Sequence, residues 1–106
     1  MIAELHHKAT DAARAAAAHM LTQIGGRDQP MCGFAWVTVY GIGLNTKEGK
    51  EFARVGFKKS YHKGIELRNP SGYPGQNIDC KVAGARAYAD VLKAAGYRVS
   101  VGERDD

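Results

Sequence analysis

The sequence predicts an α+β fold in one domain, and three observations lead to that prediction. The chain has 106 residues, which is an ordinary size for one domain. Two stretches have apolar residues at helical spacing and end at glycines, whereas residues 31–40 are rich in the β-branched and aromatic residues of strands. No internal repeat and no low-complexity linker divides the chain. We therefore expect a single domain over 1–106, with an N-terminal helix in 1–24 and an α+β core in 31–103.

Each element has its own local signal. An alanine-rich helix is predicted over 2–23, ended by Gly25 and Gly26. A strand follows over 31–40, and then a short helix over 46–55, where Asn45 and Glu48 have the spacing of a capping box. Strands over 61–68 and 75–78 flank a turn at 69–72. Asp79 then caps a long helix over 80–95, and 97–101 alternates as a last strand.

After the first helix, the order is β-α-β-β-α-β, which is the ferredoxin-like arrangement. In that arrangement the first and third strands are central in an antiparallel sheet, and two helices cover one face. Cys32 begins the first strand and Cys80 follows the third, so we expect the two thiols to lie near each other. We expect them to be reduced, because no signal peptide or membrane span is seen in the sequence.

The positive charge of the chain is concentrated in one segment. The net charge is +4, and residues 47–68 supply it with seven basic and three acidic residues. Such a surplus favours an anionic partner. The spacing of Lys47, Lys50, Arg54 and Lys58 places them on one stripe of the short helix. The candidate partner-binding residues of this region and the loop that follows it are Lys47, Lys50, Arg54, Lys58, Lys59, Arg68 and Tyr73.

The predicted first strand has two apolar faces, one of which carries Phe34, Trp36 and Tyr40. We expect this aromatic face to be covered, either by the apolar stripe of the first helix or by a second copy in a homodimer. The alternative is that the face is open. An open face would offer Phe34, Trp36 and Tyr40 as a platform on which the bases of a single-stranded nucleic acid could stack.

The sequence contains no pattern that indicates catalysis, a metal or a cofactor. His6, His7 and His19 share the first helix, but they point in different directions or lie too far apart to chelate. Neither cysteine has the CxxC spacing of structural zinc or a neighbouring base. The glycines of 41–43 lie between a strand and a helix, as in a phosphate loop, but the third glycine of that motif is missing. We therefore expect a non-enzymatic protein without cofactor or metal.

Four motifs together resemble a family of small tailed-bacteriophage proteins. They are CGFAWV at 32–37, NPSG at 69–72, QNID at 76–79 and AGARA at 83–87. The resemblance covers about residues 31–105, and the C-terminal GERD only approximates the ending of the family. It implies a protein made in the cytoplasm of an infected bacterial host, and it implies no catalytic residue.

These observations lead to one leading hypothesis and two alternatives. The first is an accessory phage protein that binds a host factor, for host takeover or against a host defence, through the basic helix and the adjacent loop. The second is a single-stranded nucleic-acid-binding module that uses the aromatic sheet face. The third is a nucleotide-binding sponge that uses residues 41–45 and the basic stripe. No membrane partner is expected.

Overall fold

The computed structural model describes residues 2–23, 33–60, 63–72 and 78–105. Within these ranges the chain forms three helices and a four-stranded antiparallel sheet, so the predicted α+β class is confirmed. The strand order is β2-β3-β1-β4. The elements are α1 (Ile2–Gln23), β1 (Gly33–Tyr40), α2 (Lys47–Arg54), β2 (Lys58–Lys59), β3 (Ile65–Arg68), α3 (Ile78–Ala94) and β4 (Arg98–Asp105).

The core lies between the sheet and α3. Ala35, Val37 and Val39 alternate along β1 and are buried on the face that α3 covers. Tyr88 and Leu92 are fully buried on α3. This is the period-2 pattern of a strand meeting the apolar stripe of a helix. The core fixes which side of the sheet is inward, and therefore which side chains point the other way.

Helix α1 packs on α3 and also contacts α2. Ala9, Ala13 and Ala17 are buried in this helix, and they are spaced by four residues, so they form a seam of small side chains along one face. Gly84 of α3 completes the close approach, since a Cβ at this position would lie 2.6 Å from Ser71 Cβ and 3.2 Å from the Ala13 carbonyl oxygen. The small side chains of α1 therefore allow its backbone to lie close to α3.

A hydrogen bond ties α1 to α3. His6 Nδ1 lies 2.8 Å from the Tyr88 hydroxyl, and the two rings meet edge to face. Burial, with a smaller contribution from the neighbouring His7, lowers the pKa of His6, and burial raises the pKa of Tyr88. The histidine is thus part of the packing between two helices, which the sequence pattern did not indicate.

Helix α2 is capped by Thr46 rather than by the predicted Asn45. The Gly49 N–H donates to Thr46 Oγ1 at 3.0 Å, and this cap begins the helix. The Tyr97 hydroxyl donates to Glu48 at 2.8 Å and holds α2 against the start of β4. Burial, together with the hydrogen bond to Glu48 and the nearby carboxylates, raises the pKa of Tyr97 to about 12.

The predicted strand over 61–68 is confirmed over Ile65–Arg68, which forms β3, whereas 63–64 are not part of the strand and 61–62 lie outside the described ranges. The edge strand β2 at Lys58–Lys59 was not predicted, because Lys58 also fits the helical spacing of the residues before it. The predicted third strand was wrong at the one residue of it that the structure describes. Of the predicted strand over 75–78, Ile78 instead begins α3, one residue before the predicted cap Asp79, and 75–77 lie outside the described ranges.

Three further expectations concern the cysteines, the loop tyrosine and the membrane. Cys80 is buried in α3, but Cys32 lies outside the described residues, so the expected proximity of the two thiols stays a prediction. Tyr73 also lies outside them. None of the helices that the structure describes is long and apolar enough to cross a membrane.

Candidate functional site

The side of the sheet opposite α3 forms what we call the open face. Antiparallel register partners point to the same side of a sheet, so the register of β1 with β3 and β4, and of β3 with β2, identifies its members. They are Phe34, Trp36, Thr38 and Tyr40 of β1, Arg98, Ser100, Gly102 and Arg104 of β4, Glu66 and Arg68 of β3, and Lys58 of β2.

The expectation that α1 covers the aromatic residues was wrong. In the described part of the chain, α1 packs on α3 and α2, on the other side of the sheet. Phe34 is 43% exposed, and Trp36 and Tyr40 are half-buried. The physical reason is that the alanines of α1 allow a close approach to α3 at Gly84, where a Cβ would already lie 3.2 Å from the Ala13 carbonyl oxygen.

Trp36 lies against β4 at Gly102. The two residues are register partners, and a Cβ built on Gly102 would overlap the indole at Cε2, Nε1 and Cζ2. The missing side chain therefore leaves the space in which the indole sits on the sheet. A ring held in this way is pre-positioned for a flat partner, because little side-chain freedom remains to be lost on binding.

The other positions of β1 continue this surface. The Tyr40 hydroxyl lies 2.8 Å from Ser100 Oγ. Ser100 is the register partner of Thr38, so the tyrosine side chain leans toward the Thr38 position. Thr38 itself is only 5% exposed. The open face therefore presents rings at Phe34, Trp36 and Tyr40, with a recessed position between the last two.

Cationic side chains surround these rings. The Arg104 guanidinium carbon lies 5.5 Å from the centre of the Phe34 ring, and Lys81 Nζ lies 5.7 Å from it. Arg68 is the register partner of Trp36, and its side chain is 82% exposed. Arg98 is the partner of Tyr40. Both cations lie over the Phe34 ring within cation–π range, so an anion that binds here would meet positive charge at the aromatic surface.

Glu66 is the acidic residue among the described members of the open face. Its carboxylate accepts a hydrogen bond from Arg68 Nε at 3.4 Å. Four cations, Lys58, Arg68, Arg98 and Arg104, thus stand against one acid, which is paired with Arg68. The open face is therefore both aromatic and basic.

A groove of about 550 Å³ lies at the β2–β3 edge of the sheet. Its lining is Gly56, Lys58, Lys59, Glu66, Leu67 and Arg68. In the described part of the chain, β2 pairs with Ile65 and Glu66 of β3, and the groove lies beside the next residues of β3, Leu67 and Arg68. Three of the predicted binding residues, Lys58, Lys59 and Arg68, come together here, next to the open face.

The predicted basic stripe is divided by the fold. Lys47, Lys50 and Arg54 are exposed on α2, but the helix ends at Arg54 and Lys58 belongs to β2. Gly56 adopts a φ of 116°, which only glycine takes readily, and it turns the chain out of the helix. The spacing that predicted one stripe therefore describes two surfaces.

The turn between β1 and α2 serves to start the helix. The Thr46 N–H and hydroxyl both donate to the Gly43 carbonyl oxygen, at 3.1 and 2.7 Å. The same hydroxyl accepts a hydrogen bond from the Gly49 N–H, so the helix start is capped by its own chain.

Among the described residues, no group of three or more His, Cys, Asp or Glu side chains could hold a metal ion.

The contribution of β4 to the open face was missed in the sequence. Alternation in 97–101 indicated that Arg98 points outward, but β4 continues to Asp105 and adds Gly102 and Arg104. Glycine and charged residues are poor strand formers, and for that reason the strand seemed to end early.

Comparison of the chain with protein-family models, with curated proteins and with solved structures finds no match.

Proposed function

We propose that the protein binds single-stranded nucleic acid on the open face of its sheet. The observation that supports this most directly is the column of aromatic side chains on β1 with cations on the neighbouring strands. Bases stack on aromatic rings, and phosphates are attracted to Lys and Arg side chains. Neither interaction requires a particular base, so the proposed binding has little sequence preference.

The chemistry of the face favours a single strand over a duplex or a second copy of the chain. In a duplex the base faces are covered by their stacked neighbours, so the rings would have no flat partner. Two copies of the open face would bring four cations of each against four of the other, and such like-charge contacts cost free energy. A flexible polyanion with accessible base faces satisfies both features of the surface.

We further propose that the arrangement is ferredoxin-like, with α1 as an addition to it. The strand order β2-β3-β1-β4, with β1 and β3 central, supports this arrangement. A four-stranded sheet whose outer face carries aromatic residues is one of the common platforms for single-stranded RNA. Here the rings described on that face all belong to β1, and β3 contributes Glu66 and Arg68.

The binding of a host protein through α2, in a phage-infected bacterium, stays a second candidate. It depends on the exposed Lys47, Lys50 and Arg54 and on the resemblance to phage proteins. These three residues are not register partners in the open face, and the two candidates therefore predict different effects of mutation.

The test is the affinity of two charge variants for a fluorescein-labelled oligothymidylate, measured by anisotropy. In the first variant, Arg68, Arg98 and Arg104 are replaced by Gln; in the second, Lys47, Lys50 and Arg54 are replaced by Gln, which removes the same charge from α2. We expect the first to lose most of the binding and the second to bind like the wild type. With four phosphate contacts, the wild-type slope of log K against log[salt] is about −3. Each cation lost should make the slope less steep by about 0.7.

Equal losses in the two variants would show that net charge alone attracts the oligonucleotide. No binding by the wild-type protein at low salt, to DNA or RNA of 20 nucleotides, would overturn the proposal. The α2 variant then tests the second candidate function. If this variant alone fails to retain a bacterial protein in pull-downs, the partner site lies on the helix.

A further inference from the structure

The open face is organised in four rows across the sheet, one for each β1 side chain that points outward. The rows are defined by register partners. The first contains Phe34 and Arg104; the second Trp36, Gly102 and Arg68; the third Thr38, Ser100, Glu66 and Lys58; the fourth Tyr40 and Arg98. Each row thus holds one β1 side chain and one cation.

The separation of these rows matches an unstacked single strand. Side chains two residues apart on one face of a strand are about 6.7 Å apart, which is twice the roughly 3.4 Å rise between stacked bases. Neighbouring bases that remain stacked cannot each lie on Phe34 and Trp36. A strand whose bases are splayed apart can place one base on each ring, with a phosphate for the cation of each row.

The direction of the strand follows from where the rings are. At the described positions of the open face outside β1, the side chains are those of Lys, Arg, Glu and Ser, together with one glycine. A path across the sheet from β1 would therefore take a base from a ring to a position without one. Consecutive bases find rings only by moving along β1, from Phe34 toward Tyr40.

The third row differs from the other three. Thr38 offers no ring and is only 5% exposed, and Tyr40 leans toward this row through its hydrogen bond to Ser100. Glu66, in the same row, repels a phosphate that comes close to it. A nucleotide at this row has a cation, Lys58, at the far side of the sheet, but no surface on which its base can stack.

We propose that the bound single strand runs along β1 with one nucleotide per row. Its footprint is four nucleotides, with three bases on Phe34, Trp36 and Tyr40 and one base at Thr38 left unstacked. This inference rests on the proposed function, since it specifies the ligand of the same site. The ligand class is an extended, unpaired DNA or RNA segment of four nucleotides or more.

The test is a set of 5′-phosphorylated thymidine tetranucleotides, which carry four phosphates, with one position at a time abasic. Each is titrated at low salt against the emission of the single tryptophan. We expect both end positions and one inner position to lose at least about fivefold in affinity, the lower end of what one stacked base contributes. The other inner position should change less than twofold. Which inner position tolerates the loss gives the polarity of the strand on β1.

Tyr40→Ala and Tyr40→Phe provide the matched control. In Tyr40→Ala, the abasic penalty at one end position should disappear while the other penalties remain, which is the coupling expected of a base that contacts that ring. In Tyr40→Phe the ring is kept, so all penalties should stay as in the wild type.

Other outcomes would overturn the inference and leave the proposed function standing. Equal penalties at all four positions would mean that every base is held, and tolerance at both inner positions would mean that the bases do not follow the rows. In a series from two to eight nucleotides, affinity that continues to rise steeply beyond four would contradict the footprint. Absence of binding by oligonucleotides of any length would overturn the proposed function itself.

Discussion

Replacing Gly102 by alanine should destabilise the protein, although alanine is normally the better residue in a strand by about 0.5–1 kcal/mol. The new Cβ would lie 2.5 Å from Cζ2 of the Trp36 indole and closer to Nε1 and Cε2. Carbon atoms pack at about 3.5–4.0 Å, so the ring must withdraw by about 1 Å or more. Overpacking of this kind costs about 1–3 kcal/mol, so a net loss of up to about 2.5 kcal/mol is left after the strand preference is subtracted.

The assay is urea unfolding followed by the emission of Trp36. With a slope of about 1–2 kcal/mol per molar urea, the midpoint should fall by about 1 M. The emission of the folded variant should also shift toward that of a solvated indole. Gly43→Ala is the control, because among the described residues its Cβ would meet only Thr46 Cγ2, at 3.9 Å. A Gly102→Ala protein with wild-type stability and unchanged emission would refute the placement of the indole on Gly102.

Three further predictions concern the open face, the α1–α3 contact and pH. Glu66→Gln should bind oligonucleotide about two- to fivefold more tightly, because removing one negative charge near the phosphates is worth up to about 1 kcal/mol. Anisotropy titration measures the affinity, and weaker binding by the variant would contradict the expected repulsion. Gly84→Ala should lower the free energy of unfolding by up to about 2 kcal/mol, because overpacking costs about 1–3 kcal/mol and the helix preference of alanine offsets about 1 kcal/mol of it. The new Cβ would lie 2.6 Å from Ser71 Cβ and 3.2 Å from the Ala13 carbonyl oxygen, so an unchanged urea midpoint would show that Ser71 and α1 both withdraw at little cost. His6 has a lowered pKa in the folded state, so its contribution to stability is complete above the ordinary pKa of about 6.5 and is lost as the pH falls below that value. Urea midpoints measured between pH 7.5 and 5 should therefore decrease. The decrease should be smaller in His6→Gln.

The parts of the fold that could be predicted are those with a local signal. The bounds of α1 matched because an alanine-rich run of 22 residues has no competing pattern. Strand β1 and helix α3 have clear periods of 2 and 3.6 residues, and their predicted ranges overlap the observed ones. Strand β2 could not be found because two residues have no period, and Lys58 also fits the helical spacing of the residues before it.

The candidate site depends on which surface α1 packs against, and no local sequence pattern encodes that. The apolar stripe of α1 indicates that the helix must pack on something, and both the aromatic face and α3 were available to it. Side-chain size determines the packing partner of α1, since Ala9, Ala13 and Ala17 leave room for a second helix at Gly84. A glycine inside the predicted helix over 80–95 was the signal in the sequence, because glycine in a helix interior costs about 1 kcal/mol unless a close contact requires it.

The position of α1 also has a consequence for how the molecule opens. This helix packs on α3 and α2, and the alanines of its seam bury little apolar area per residue. Proteins exchange amide hydrogens in cooperative units, and a unit held by few apolar contacts opens with less free energy than the whole fold. The amides of α1 should therefore exchange earlier than those of β1, which has a neighbouring strand on both sides. A local opening of α1 would leave the four rows of the open face in place, because α1 packs on the other two helices.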